Sequence, residues 1–237
     1  MLDRNNDYCP TDVQDIVFGD GKAKGLITDI VSGAMQFPFA GVNGIILLGP
    51  NGTGKSALAH LLPAAINGVG QPHITPVDYI FERITTATDG KELMEKMAYG
   101  TQFVPLQRFK YYVLDEFDLL SPRHMASMKS IMNCKTSVFI MTTNNISKID
   151  SGIKSRSHLV NMPLANAALW VPVMQAILLD QKVIVPDETG LHSIVERCNY
   201  DARKIVGATV KLAQALFQQG KVIPPAANAN TPDQTAA

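Results

Sequence analysis

Three features of this chain predict an α/β fold, a parallel sheet with helices on both faces followed by a small helical unit. Strand-like apolar runs alternate with helix-like segments through the N-terminal part, the pattern of a covered parallel sheet. A glycine-rich loop, Gly49 to Ser56, joins the apolar run Ile45 to Leu48 to a helical segment. After Pro163 the apolar spacing turns helical, and Val183-Ile184-Val185 is the single strand signal there.

In chain order, Tyr8 to Phe18 is polar and then apolar, ending at Gly19. Gly25 to Met35 carries Leu26, Ile27, Ile30, Val31 and Ala34 at helical spacing. Ile45 to Leu48 is the first strong strand, and Ala57 to Leu62 opens a helix that Pro63, Gly68, Gly70 and Pro72 are expected to break. Val77 to Phe81 reads as a strand, and Lys91 to Tyr99 as an amphipathic helix stopped by Gly100. Tyr111 to Leu114 is a buried type of strand ending in Asp115-Glu116-Phe117-Asp118. Ser121 supplies a hydroxyl cap and Pro122 a first turn for a helix reaching about Met132. Val138 to Thr142 and His158 to Met162 complete the strands, while Leu164 to Leu179, Thr189 to Cys198 and Ala202 to Phe217 are helical. The expected division is a core over 1–163, a helical unit over 164–219 and a disordered tail over 220–237, which has little to bury.

Composition narrows the partners. With 237 residues, 46% hydrophobic and 18% charged, the chain can hold one large domain or a core with a small companion. Lys plus Arg equals Asp plus Glu at 21 each, so bulk charge makes no case for nucleic acid and leaves only a local basic face open. Cys9, Cys134 and Cys198 lack metal-ligand spacing and read as reduced thiols; the five histidines form no H-x-x-x-H pair. The polar start is no secretory signal, and no apolar run approaches the ~20 residues of a membrane span. The expectation is a soluble, cytoplasmic protein with no membrane partner.

Gly49-Pro50-Asn51-Gly52-Thr53-Gly54-Lys55-Ser56 fills every position of the G-x-x-x-x-G-K-[ST] pattern in its strand–loop–helix context. Its backbone N–H groups can turn inward around a polyphosphate, toward which the positive end of the next helix also points. Lys55 can reach the β- and γ-phosphates, and the Ser56 hydroxyl can ligate Mg²⁺. Phosphoanhydride hydrolysis further needs a metal holder, a group that activates water, and positive charge for the transition state. Asp115, directly after four apolar strand residues, suits the metal shell, and Glu116 can polarise water; the pair also reads as an ordinary acidic turn. Asn144 follows a strand, where its amide can bond the γ-phosphate or the water, or simply form a turn. Arg156 and Arg203 each read as a solvated charge or as an arginine finger, in cis or in trans, and spacing does not decide.

Together these residues resemble the AAA+ ATPases, most closely the small ATPase subunits of sliding-clamp loaders of the replication factor C kind, from about Tyr8 to about Phe217. Tyr8-Cys-Pro-Thr-Asp-Val-Gln-Asp-Ile-Val17 is similar to the family's Y-x-P-x-x-x-x-D-[IV]-V segment, whose backbone and tyrosine lie near the adenine. Leu114-Asp-Glu-Phe-Asp118 matches the Walker B box, and Thr142 to Ser157 fits the stretch from the sensor asparagine to the S-R-C motif without a gap. The resemblance implies an AAA+ P-loop core with a helical lid, ATP and Mg²⁺ as cofactors, and Tyr8 and Val17 beside the base. It makes Asn144 sensor one, Arg203 sensor two and Arg156 a finger inserted into a neighbouring subunit's site. Lys129 falls where the family keeps a basic residue facing DNA; a merely solvated lysine is the equal alternative.

Departures qualify the likeness. Ser157 replaces the motif's cysteine, and Ile84 to Gly90 follows the family's N-A-S-D-E-R-G stretch only loosely. The chain stops after the lid, without the collar that holds clamp-loader pentamers together, as would suit a virus, phage or plasmid. The implied function is a clamp-loader-like ATPase of DNA replication, an oligomer with DNA and a sliding clamp or other replication protein as partners. The alternative is a helicase loader or a protein-remodelling ATPase.

Overall fold

The computed structural model of the protein describes residues 8–70 and 79–223. Their elements are α1 (Gly21–Ser32), β1 (Gly44–Leu48), α2 (Lys55–Asn67), β2 (Tyr79–Arg83), α3 (Gly90–Gly100), β3 (Lys110–Asp115), α4 (Pro122–Ile131), β4 (Ser137–Thr143), α5 (Ser151–Lys154), β5 (Ser157–Asn161), α6 (Ala167–Asp180), α7 (Glu188–Arg197) and α8 (Ala202–Gln218). The five strands form one parallel sheet in the order β2-β3-β4-β1-β5. The predicted α/β class is what forms.

Side-chain alternation along the strands builds two cores, one on each face of the sheet. Ile45, Leu47, Tyr111, Val113, Val138 and Ile140 pack with α1 and α2. Ile46, Tyr112, Leu114, Phe139 and Met141 pack with α3 and α4, with Tyr112 stacked on Phe139 at 5.2 Å. All seven residues of β4 are buried, which is why that strand reads as a continuous run rather than an alternating one. Register sets the site: Leu48 pairs with both Thr143 and Asn161, and Arg83 pairs with Asp115. The segments after β1, β3 and β4 therefore emerge at one edge of the sheet.

The helices α6, α7 and α8 enclose a third core, built from Trp170, Met174, Leu178, Leu191, Val195 and Ile205. Val17, from the segment before α1, packs against it and ties it to the sheet unit.

Local outcomes differ from expectation in four places. Pro63 lies inside α2 rather than ending it, because its ring is buried on the core face, offsetting the ladder bond that proline forfeits. Ser121 precedes α4 without capping it; its Oγ is 2.9 Å from His124 Nδ1 instead. The strand expected over 77–81 is formed at Tyr79–Arg83, with Val77 and Asp78 outside the described residues. Gly220 to Ile223, expected in the disordered tail, return along the segment after α6: Val183 bridges Val222, and the Ile223 N–H donates to the Lys182 carbonyl at 2.9 Å. The remainder of that tail, 224–237, lies outside the described residues. Among the described residues no helix is long and apolar enough to cross a membrane.

Candidate functional site

A cavity of about 850 Å³ opens where the sheet's carboxyl edge meets α6 and α8. Its floor is the glycine-rich loop. Gly54 adopts φ +86°, a left-handed conformation that glycine takes without strain, as it turns the chain into α2. Gly52, at φ +80°, has no room for a Cβ, which would sit 2.4 Å from the Asp201 carboxyl carbon. The loop is thus shaped both by its own turn and by the start of α8. Asn51 to Ser56 line the cavity. Gly49 and Pro50 do not; they sit behind it, and their carbonyls each accept a 2.7 Å hydrogen bond from Lys55 Nζ. Burial lowers the Lys55 pKa, opposed chiefly by the Asp115 carboxylate. Its ammonium is held among acceptors that a bound phosphate can replace.

Asp115 ends β3 almost wholly buried. Its Oδ1 accepts from the Ser56 hydroxyl at 2.9 Å and the Thr142 hydroxyl at 2.6 Å, and its Oδ2 from Arg83 Nη2 at 3.0 Å. Burial raises its pKa, but the bonds from Thr142, Ser56 and Arg83 outweigh that and hold the carboxyl below its usual range. A carboxylate that favours its ionised form, beside a hydroxyl, is a hard oxygen pair of the kind Mg²⁺ takes. Ser56 and Asp115 are the residues that would hold that ion.

Glu116 occupies a left-handed conformation, φ 58° and ψ 42°, costing a non-glycine residue about 1 kcal/mol or more. The bond from its N–H to Thr142 Oγ1, 3.0 Å, helps to hold it there, and its side chain is 47% exposed beside the cavity. The carboxylate stays half exposed, with Arg83 Nε 3.9 Å away, and within reach of water. Asn144, after β4, donates from Nδ2 to Asn51 Oδ1 at 3.1 Å, so the loop and the β4 end are directly joined.

The facing wall is helical. Arg203 stands in the first turn of α8, whose N-cap Asp201 accepts from the Arg203 and Lys204 N–H groups. The Ala202 N–H donates to the Gly52 carbonyl at 2.8 Å, linking α8 to the loop. Tyr8 and Val17 also line the cavity; the Tyr8 hydroxyl donates to Asp180 Oδ2 at 2.7 Å and accepts from Gln181 Nε2 at the end of α6. Tyr8, Val17, Asn51 to Ser56, Asp115, Glu116, Asn144 and Arg203 are therefore brought together as expected.

Arg156 and Lys129 are not part of that group. The Arg156 guanidinium bonds Asn133 Oδ1 at 3.2 Å and the Gly152 carbonyl at 2.9 Å, outside the cavity. Lys129 forms a 3.3 Å ion pair with Asp150, also outside it.

Sequence reasoning passed over four wall residues. Arg83 closes on Asp115 and lies 3.9 Å from Glu116, yet at the end of the edge strand β2 it reads as a surface charge. Its register opposite Asp115 was the available signal, visible only once the strands are paired. Trp170 belongs to the third core and also lines the cavity, with its indole N–H buried and unpartnered among the described residues. Lys211 and Gln214 reach the cavity from α8 through a helix face that no motif marks.

Comparison with known proteins fits this geometry. Residues 45–162 match the ATPase family associated with various cellular activities (AAA). No curated protein matches the chain. Among solved structures, the Thermotoga maritima RuvB Holliday junction branch migration motor is similar with a TM-score of 0.68 at 14% identity, over 91% of this chain and 68% of that one. A second Thermotoga maritima RuvB structure, carrying a single substitution, gives 0.67 at 15% identity over 91% and 68%. At such identities the likeness is one of fold.

Proposed function

We propose, from the premise that this chain carries an AAA ATPase domain and is an ATPase, that it hydrolyses ATP with Mg²⁺ to drive a clamp-loader-like step in DNA replication. The observation that carries the reading is the single cavity in which Lys55, Ser56, Asp115, Glu116, Asn144 and Arg203 converge. In this reading 1–163 is the catalytic core and 164–219 a lid, supported by the separate helical core.

Ser56 and Asp115 would hold Mg²⁺, which when bound would neutralise phosphate charge. Lys55 exchanges the Gly49 and Pro50 carbonyls for phosphate oxygens. Glu116 takes the proton of the attacking water, which Asn144 orients, and the bond to the leaving ADP oxygen breaks as the water oxygen bonds phosphorus. Arg203 faces the developing charge from α8. Arg156, directed away from its own cavity, serves the site of an adjoining subunit in an oligomer.

A DNA target is supported by the fold shared with a Holliday junction motor, and Lys129 is the proposed phosphate contact, exchanging Asp150 for DNA. A protein partner, a sliding clamp or another replication protein, is supported by the apolar stretch from the end of α3 into the loop after it, where Tyr99, Phe103, Val104 and Leu106 stand exposed. That same loop keeps a second reading in play, a helicase loader or remodeller that acts on protein alone.

Steady-state ATPase rate against protein concentration, with and without primed single-stranded DNA, separates the two. A rate per subunit that climbs with both supports shared sites acting on DNA. A rate that climbs with concentration and ignores DNA favours the remodeller, and a rate indifferent to concentration removes the trans role of Arg156.

A further inference from the structure

We infer that Lys211 and Gln214 read the nucleoside end of the bound nucleotide, with the Gln214 carboxamide discriminating the base. The inference rests on the reading of the cavity as a nucleotide site and adds residues that no motif marks.

One face of α8 lines the cavity along much of its length, at Arg203, Val206, Gly207, Val210, Lys211 and Gln214. The spacing is that of a single helical stripe. Arg203 marks the phosphate end, because it stands in the first turn of α8, where the Ala202 N–H donates to the Gly52 carbonyl of the glycine-rich loop. At 1.5 Å per residue, Lys211 lies about 12 Å and Gln214 about 16 Å further along the axis. The stripe runs from a guanidinium beside the loop, over two valines, to an ammonium and a carboxamide.

The chemistry changes along the same line. Val206 and Val210 from α8, Val173 and Trp170 from α6, and Ile16 and Val17 from the N-terminal segment give the cavity apolar walls suited to a flat ring. Lys211 and Gln214 are exposed at this end and make no hydrogen bond or ion pair among the described residues. An ammonium only donates, so Lys211 can hold a ring nitrogen or a ribose oxygen without telling bases apart. A carboxamide donates and accepts side by side, which matches the amino group and adjacent ring nitrogen of adenine. Guanine presents two neighbouring acceptors on that edge and leaves the carboxamide oxygen facing another oxygen. The ligand class is an adenine nucleotide.

Trp170 is the single tryptophan of the chain and lies in this wall, so its fluorescence reports arrival of the base. The experiment titrates ATP, GTP and inorganic tripolyphosphate into the full chain and its Lys211→Met and Gln214→Leu variants, following Trp170 emission and, for tripolyphosphate, calorimetry. Gln214→Leu is expected to reduce a preference for ATP over GTP of about tenfold to less than about threefold. Lys211→Met is expected to weaken both nucleotides by a similar factor. Tripolyphosphate affinity stays unchanged in both, which also shows that the variants are folded. An unchanged ATP-to-GTP ratio in Gln214→Leu overturns the assignment. A wild-type chain that binds tripolyphosphate as tightly as ATP overturns a base-reading end altogether. A wild-type chain that binds none of the three sinks the nucleotide site itself.

Discussion

The two walls of the cavity are built on different terms. On the sheet side three groups are tied down: Asp115 accepts from Ser56, Thr142 and Arg83, Lys55 donates to two carbonyls, and Asn144 holds Asn51. On the helical side the Arg203 guanidinium and the Lys211 and Gln214 side chains make no hydrogen bond or ion pair among the described residues. Strand ends fixed by register place charges to within the tolerance that chemistry needs. A helix face packed through its own core can shift as a unit, which suits groups that respond to a ligand rather than prepare for one. The first wall is wired for reaction and the second for sensing.

The largest expected effect breaks the comparison if it fails. Glu116→Gln keeps size and shape but removes the base, so turnover should fall about 10²- to 10⁴-fold while nucleotide affinity is retained. Arg203→Ala, on the opposite wall, should weaken nucleotide binding as well as turnover, since its free charge has only the phosphates to meet. Single-turnover hydrolysis and equilibrium binding on both variants measure this. A Glu116→Gln rate within a few-fold of wild type would take the sheet wall out of the chemistry.

An intermediate effect concerns the bond between the walls. The Ala202 N–H donates to the Gly52 carbonyl, and Ala202 is the first residue of α8. Proline is tolerated at that helical position, and Asp201, at φ −79° and ψ 118°, already has the extended backbone that a following proline requires. Ala202→Pro therefore deletes this one donor and little else. A net hydrogen bond of about 1 kcal/mol corresponds to roughly a fivefold change, so ATP affinity should fall by about that factor with Tm nearly constant. If affinity is unmoved, the walls are coupled through Val17 and the third core instead.

How much of this was legible follows the same division. The glycine-rich loop, Asp115, Glu116 and Asn144 could be read because each sits just past an apolar strand, and a parallel sheet sends such positions to one edge. Arg83 sits at a strand end too, but β2 is the outer strand and its sequence, Tyr-Ile-Phe-Glu-Arg, shows nothing that distinguishes a buried partner from a solvated one. Trp170, Lys211 and Gln214 depend on how α6 and α8 pack on the sheet, which no local spacing encodes. The breaking of α2 at Pro63 was misjudged for a related reason: burial of the ring is a tertiary gain set against a local loss.

The smallest effect sharpens the contrast by pH. His60 on α2 sits between the walls of its own layer, with Nδ1 2.7 Å from the Tyr79 hydroxyl and its ring 4.6 Å from Phe81. Burial lowers its pKa below 6.5, as it does for His158 in β5. A depressed histidine pKa means that the unfolded chain binds more protons in the window between the folded value and 6.5. Stability from the neutral ring is therefore complete above 6.5 and is lost as pH falls through the folded value. Both rings belong to the sheet unit, so mild acid should loosen that unit while α6 to α8 keep their packing. The measurement is Tm at pH 7 and pH 5, with the difference in wild type reduced in His60→Gln by about 1 to 3 °C. Glutamine can still bond Tyr79 but has no proton to gain in this range. An equal acid loss in both proteins would remove His60 and leave His158 as the sheet unit's candidate; if His158→Gln also kept the full loss, the sensitivity would lie elsewhere and the claim that the sheet unit is the acid-sensitive one would fall.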